Sequence, residues 1–320
     1  MPRSSDDFYR QVIRPGHSSY FEQPLPTLDP SLFDGHHLKD HVRQWLLLTL
    51  ADGLADSLDL AGVNEWLHAW LAGSGITYQW EGGEGDLDVL FGVDMLRFVH
   101  WNPNFTGVPE SAVAQWADGE LKNKVWPKTA HTRFGQRVYE VTFFWNPGTH
   151  DRIENIKPYA AYDLKSDTWA VEPPDLPADP AELYPAEWYK AAASDITSAQ
   201  DILSRHHHLA QVLSTTDPST ATGRNAASEM ARVRMSARAM FDDIHLGRRA
   251  AFGEQGHGYS DWHNFRWQHA KATGVVPALR YITEKAKAAS DAEQTRLYGG
   301  PIDAADAIVT REMMRYGPRP

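Results

Sequence analysis

A chain of 320 residues with 42% hydrophobic content, 12 Trp and 20 Pro has room for two domains and a sizeable core, and its composition excludes collagen-like and wholly disordered classes. The absence of Cys excludes disulfide scaffolds, thiol catalysis and Cys-based zinc fingers, and no apolar run approaches the ~20 residues of a membrane helix. Net charge is −11 and uneven: residues 1–180 hold 14 bases against 26 acids, −12, whereas residues 181–320 hold 17 against 16, +1. So acidic a chain is a poor sequence-independent coat for DNA, which needs a basic footprint. With no apolar leader core in MPRSSDDFYRQVIRPG, the expected location is cytoplasmic.

The first 35 residues, rich in Pro, Ser and Asp, read as an extended N-terminal arm. Apolar residues at helical spacing predict a helix over His37–Leu60 and a shorter one over Val63–Leu71, ended by Gly73–Gly75. The pattern then changes to strands over Ile76–Trp80 and Leu87–Val93, with a turn at Glu81–Gly85 between them. An amphipathic helix follows over Pro109–Val125, and RVYEVTFFW, Arg137–Trp145, is the strongest strand signal in the chain. Tyr159–Leu164 and Thr168–Val171 form a further hairpin, turning at Ser166–Asp167. Five Pro in Glu172–Pro185 rule out a helix or central strand there, so this stretch is read as the domain linker. Helical patterns then cover Ala186–Leu213, Arg224–Phe252, Asp261–Thr273, Pro277–Ala289 and Ala304–Arg315. The expected fold class is α+β: an arm over 1–35, a small mixed sheet with flanking helices over 36–171, the linker over 172–185, and an all-helical domain over 186–320.

Chemistry concentrates in WEGGEGDLDVLFGVD, Trp80–Asp94. A strand has a side-chain period of two, so Asp86 and Asp88 share one face while Leu87, Val89, Phe91 and Val93 fill the other. Two adjacent carboxylates on a rigid strand repel, and a hard divalent cation, Mg²⁺ or Mn²⁺, relieves this by taking carboxylate and phosphate oxygens together. Gly82, Gly83 and Gly85 precede the pair and allow backbone N–H groups close to a phosphate. Glu140 is the third acid: it shares a face with Val138, Thr142 and Phe144, while Tyr139, Val141, Phe143 and Trp145 form the apolar face. If the two strands are neighbours, the three carboxylates converge.

A Gly-Gly turn, Asp-x-Asp opening a strand, and a lone acid in a later strand resemble the DNA polymerase β-like nucleotidyltransferase superfamily. More narrowly, WEGGEGDLDVLFGVD, YEVTFFWNP and PYAAYDLKSDTW look like uncharacterised members encoded by phages of actinobacteria. The resemblance covers about residues 60–170. It implies a nucleotidyltransferase-type catalytic domain that moves an NMP from an NTP to an acceptor hydroxyl and releases pyrophosphate. It also implies Mg²⁺ or Mn²⁺ on Asp86, Asp88 and Glu140, and an acceptor that is RNA, a nucleotide, a small molecule or a protein hydroxyl. The chain departs from the family in one place. About a dozen residues normally separate the Gly pair from the first Asp, and only two separate Gly83 from Asp86. Gly73–Ser74 has the usual gap but sits where a helix is expected to end, so Gly82–Gly83 is favoured as the phosphate turn.

Other clusters are weighed against structural roles. Arg234 and Arg238 share a face of the Arg-rich helix over Arg224–Phe252 and are candidate triphosphate contacts lining a cleft opposite Asp86 and Asp88. Lys122, Lys124, Lys128 and Arg133 flank the catalytic strands as further candidates. His37 and His41, four apart on an expected helix, and His206–His208 read as solvated helix histidines. His150–Asp151 lies in a loop, where the helical His-Asp motif of phosphohydrolases does not belong. In DWHNFRWQHAK, Asp261–Lys271, Trp262 and Phe265 read as core rather than as a base-stacking platform. Two other classes stand beside the enzyme reading: a non-catalytic nucleotide- or partner-binding module on the same fold, and a metal phosphohydrolase built on the His clusters.

Overall fold

A computed structural model of the chain describes residues 18–80, 85–150, 152–253 and 255–298. These residues divide into two compact units: 22–180, and 18–21 together with 181–298. The division falls inside the Pro-rich stretch.

The first unit is α+β. A two-stranded hairpin, β1 (Phe33–Asp34) and β2 (His37–Leu38), precedes the helix α1 (Asp40–Asp52). The main sheet comprises β3 (Leu67–Ala72), β4 (Gly85–Val93), β5 (Thr132–Phe134), β6 (Arg137–Trp145), β7 (Ala161–Asp163) and β8 (Thr168–Val171), in the order β5-β6-β4-β3-β7-β8. The sheet is mixed: β4 and β6 run parallel, and every other neighbouring pair is antiparallel. A parallel pair needs a long crossover. Here α3 (Met95–Trp101), α4 (Glu110–Lys124) and the single turn α5 (Trp126–Thr129) supply it, with β5.

Alternation in β4 and β6 builds the core. Leu87, Val89 and Phe91 are fully buried, as are Val141 and, within a few per cent, Tyr139, Phe143 and Trp145. They pack in one cluster with Val42, Leu46 and Leu50 of α1 and Val113, Ala117 and Leu121 of α4. The opposite face of the same two strands is left for Asp86, Asp88, Glu140 and Thr142.

Several elements differ from expectation. The helix expected over His37–Leu60 starts only at Asp40, passes into a π turn at Gly53–Ser57, and is preceded by β2. The helix expected over Val63–Leu71 is a single turn, α2 (Val63–Trp66), followed by β3. LHAWLA is a central strand buried on both faces, so its apolar residues do not alternate, and periodicity cannot separate such a run from a buried helix. The strand expected over Ile76–Trp80 is replaced by a 3₁₀ turn at Ser74–Ile76 and further turns. There Thr77 bonds locally: its backbone N–H and its hydroxyl both donate to the Ser74 carbonyl, at 3.1 and 2.8 Å. Part of the expected extended arm belongs to the core, through Leu28, Leu32 and Phe33.

In the second unit, α6 (Ala186–Thr215), α7 (Ala221–Ala251), α8 (Trp262–Ala272) and α9 (Val275–Tyr298) pack around Ala199, Leu203, Ala237, Ile244, Leu279 and Ile282. Thr220 caps α7 by accepting from Gly223 N, and Asp261 caps α8 by accepting from His263 N. Phe265 is fully buried among Tyr20, Tyr184 and Ala192, with Trp262 partly buried against the same cluster, so both aromatics pack as core. The helix expected over Ala304–Arg315 lies outside the described residues.

No helix among the described residues is long and apolar enough to cross a membrane.

Candidate active site

The parallel register aligns the acids. Asp86 is opposite Glu140 and Asp88 is opposite Thr142, so all four side chains leave one face of the β4–β6 pair. Asp88 Oδ1 accepts the Thr142 hydroxyl at 2.9 Å, and Glu140 Oε1 accepts the Trp126 indole N–H at 2.8 Å. Further along the same face, Phe144 is opposite Leu90 and stays 41% exposed.

A glycine turn sits on the acid pair. The antiparallel register of β3 with β4 puts Ala72 opposite Asp88, and Gly73 follows with φ +98, a backbone conformation that L side chains rarely adopt. A Cβ at Gly73 would lie 3.6 Å from Asp88 Oδ2, and one at Gly75 would lie 2.6 Å from the Asp86 carbonyl oxygen. Glycine is therefore required at 73 by its backbone conformation and at 75 by the close approach to Asp86. The objection raised from sequence against Gly73–Ser74 does not hold: this pair follows a strand, not a helix. Gly82 and Gly83 lie outside the described residues.

Buried groups under the site hold its strands. Asp29, 1% exposed, accepts the Tyr139 hydroxyl at 2.7 Å and lies 3.6 Å from Arg137 Nε. Burial, with Asp29 second, pushes the Tyr139 hydroxyl well above the usual tyrosine range. On α4, Asp118 Oδ1 accepts the backbone N–H of Trp145 at 2.8 Å, fixing the end of β6. Burial pushes the Asp118 carboxyl up to about 6, and the Trp145 N–H only partly opposes this. None of Trp126, Asp29 or Asp118 was foreseen from sequence. A carboxylate within an apolar helix pattern carries no signal of its own. Trp126 carries a faint one, because Pro127 behind it opens a new helical turn there and keeps the ring near the surface.

The remaining candidates scatter. Lys122, Lys124 and Lys128 are exposed on α4 and α5, and Lys124 is engaged by Glu120 at 2.5 Å and the Ser57 carbonyl at 3.0 Å. Arg234 and Arg238 lie on α7 in the other unit. There Arg238 pairs with Asp242 at 2.6 Å, while Arg234 is half-buried beside His206. His206 is a correction: it is 7% exposed core, not a solvated histidine, and neither ring nitrogen has a hydrogen-bond partner among the described residues. His37 and His41 do not share a helix, because His37 is on β2.

The acid face suits a hard cation. Its donors are all oxygens, and Glu140 pairs with no Lys or Arg among the described residues, so no described base compensates its charge. A second group, His37, Asp40 and Asp167, brings its ligand atoms within 4.8 Å of one another. It is already satisfied: Arg43 lies 3.1 Å from Asp167 and 3.6 Å from Asp40, and the Tyr162 hydroxyl donates to Asp167 Oδ1 at 3.0 Å. That cluster ties the β7–β8 turn to α1. Comparison of the chain with family models, with curated proteins and with solved structures finds no match.

Proposed function

We propose that the sheet unit is a metal-dependent nucleotidyltransferase that moves an NMP from an NTP to an acceptor hydroxyl and releases pyrophosphate. The observation that carries this reading is the parallel register that sets Asp86 opposite Glu140, with Asp88 between them and the Gly73–Ser74–Gly75 turn. Asp86, Asp88 and Glu140 would hold Mg²⁺ or Mn²⁺, which when bound stabilises attacking and leaving oxygens in an in-line displacement at the α-phosphate. The chain's own residues do the rest. Backbone groups of the glycine turn reach toward the phosphates, as glycine at 73 and 75 permits. Glu140 accepts the proton of the acceptor hydroxyl while the new acceptor–phosphorus bond forms and the bond to the β-phosphate oxygen breaks. The Ser74 hydroxyl, which has no partner among the described residues, is available as a phosphate donor.

The test is label transfer from α-labelled NTPs with Mg²⁺ or Mn²⁺ to RNA, nucleotides or protein. Wild type should label one of these classes, and Asp86→Asn/Asp88→Asn should lose that transfer while keeping the same thermal unfolding. NTP binding without pyrophosphate release over hours would instead identify a binding module on this fold. Transfer undiminished in the double variant would overturn the mechanism.

A further inference from the structure

The indole N–H of Trp126 is the hydrogen-bond partner of Glu140 among the described residues, and the fold fixes its place. α5 is pinned to β6 at consecutive residues: Trp126 Nε1 donates to Glu140, and the Thr129 hydroxyl donates to the Val141 carbonyl at 2.7 Å. Val125, just before the turn, is 4% exposed and packed in the main core. Trp126 itself remains 37% exposed, so its ring is not held there by full burial.

A glutamate side chain has three rotatable bonds, and fixing it costs up to about 2 kcal/mol of conformational entropy. The indole bond meets part of that cost in advance. It takes one lone pair on Oε1 and leaves Oε2 without a partner among the described residues. The donor is also neutral. Arg or Lys in its place would orient Glu140 equally well but would cancel the charge a cation needs. Asp88 on the same face also accepts a neutral hydroxyl, that of Thr142. Neighbours that orient ligands in this way typically change metal affinity by 10- to 100-fold when removed.

We infer that Trp126 is a positioning residue of the metal site: it holds Glu140 so that Oε2 faces the cation, with the carboxylate still fully charged. This rests on the acid face being a metal site, and the experiment separates the two. Mn²⁺ alone is titrated into the full chain and free Mn²⁺ is read by electron paramagnetic resonance, for wild type, Trp126→Phe and Asp86→Asn/Asp88→Asn. In parallel, the Trp126 indole N–H resonance, assigned by its loss in Trp126→Phe, is followed during Mg²⁺ titration of wild type.

The expected result is Mn²⁺ binding about ten-fold weaker in Trp126→Phe, together with a saturable Mg²⁺-dependent shift of the Trp126 resonance that the Asp86→Asn/Asp88→Asn variant lacks. Equal Mn²⁺ affinity in wild type and Trp126→Phe, with an unmoved indole resonance, overturns the positioning role and leaves the metal site standing. No Mn²⁺ binding by wild type, or binding undiminished in the double Asp variant, overturns the site and this role with it. Should Trp126→Phe fail to fold, the indole resonance of wild type decides alone, with assignment taken from selective labelling.

Discussion

Asp118→Asn isolates one buried carboxyl and predicts its effect on stability as a function of pH. Asp118 has an ordinary value of 3.8 and is pushed up to about 6 in the folded chain, chiefly by burial. A raised carboxylate value means the fold favours the protonated form. The stabilisation is therefore complete below pH 3.8, is lost as pH rises from 3.8 to about 6, and stays lost above that. The interval of about two pH units corresponds to roughly 3 kcal/mol at 1.36 kcal/mol per unit. Asn keeps the shape and an oxygen for the Trp145 N–H, and it does not titrate. The stability of Asp118→Asn minus that of wild type should therefore climb by about 3 kcal/mol between pH 3.5 and pH 7.5. Urea unfolding followed by tryptophan fluorescence at several pH values measures that difference directly, whatever constant offset the amide introduces. A difference that stays flat across pH 3.5–7.5 refutes the reasoning: the Asp118 carboxyl would then ionise as freely in the fold as in the unfolded chain.

Three further outcomes follow from named contacts. Gly75→Ala places a methyl group 2.6 Å from the Asp86 carbonyl oxygen and must displace the start of β4. It should cost about 1–3 kcal/mol and weaken Mn²⁺ binding more than a surface Gly119→Ala does. Burial lowers His206, His245 and His269 from 6.5, with Arg234 adding at His206, Arg249 and Arg248 adding at His245, and Asp195 opposing at His269. Their stabilisation is complete above 6.5 and lost as pH falls below it, so thermal unfolding followed by circular dichroism should move to lower temperature at acid pH. His206→Leu should reduce that pH dependence and raise stability by about 1–2 kcal/mol at pH 7.5, because it removes two buried nitrogens without partners. Arg266 bridges Asp195 at 2.7 Å and Asp243 at 2.7 Å, and Arg266→Leu leaves the Asp195 carboxylate buried and unpaired; a loss of about 3 kcal/mol in urea unfolding is expected.

The strands that carry chemistry were legible because each has one buried face. In Leu87–Val93 and Arg137–Trp145 the period of two gathers the buried apolar residues on one face, and the acids could be assigned to the other from sequence alone. Their convergence was stated only conditionally, and it depends on a parallel pairing that no local pattern encodes. β3 was missed for the opposite reason: buried on both faces, it shows no alternation. That reading bore on the choice of phosphate turn, since Gly73–Ser74 was judged by the helix thought to precede it. Long-range partners were not legible at all. Asp29 meets Tyr139 across 110 positions, and Trp126 meets Glu140 across a crossover whose path sequence does not fix. The solvated reading of His206 failed because a His triplet looks polar throughout, although helical geometry turns its first member inward.

Carboxylates among the described residues are housed in different ways, and the contrast bears on function. Asp29, Asp167 and Asp195 each lie beside an arginine, Arg137, Arg43 and Arg266, which neutralises the charge and makes the acid a structural strut. Asp118 has a backbone N–H and burial, and the fold resolves the penalty by drawing a proton toward it near pH 6. Glu140 follows neither course. Its partner is an indole, it stands on a half-exposed sheet face, and no base compensates it among the described residues. Asp88, on the same face, accepts a hydroxyl. Neutral donors orient a carboxylate without spending its charge, which is of no use to a strut and is what a cation ligand requires. Both kinds of acid occur within the sheet unit, so a general excess of acidic residues does not account for the difference. Glu110 also accepts an indole N–H, from Trp145 at 3.3 Å, so what sets Glu140 apart is its indole partner together with its place opposite Asp86 on the sheet, and that combination supports the metal-site reading.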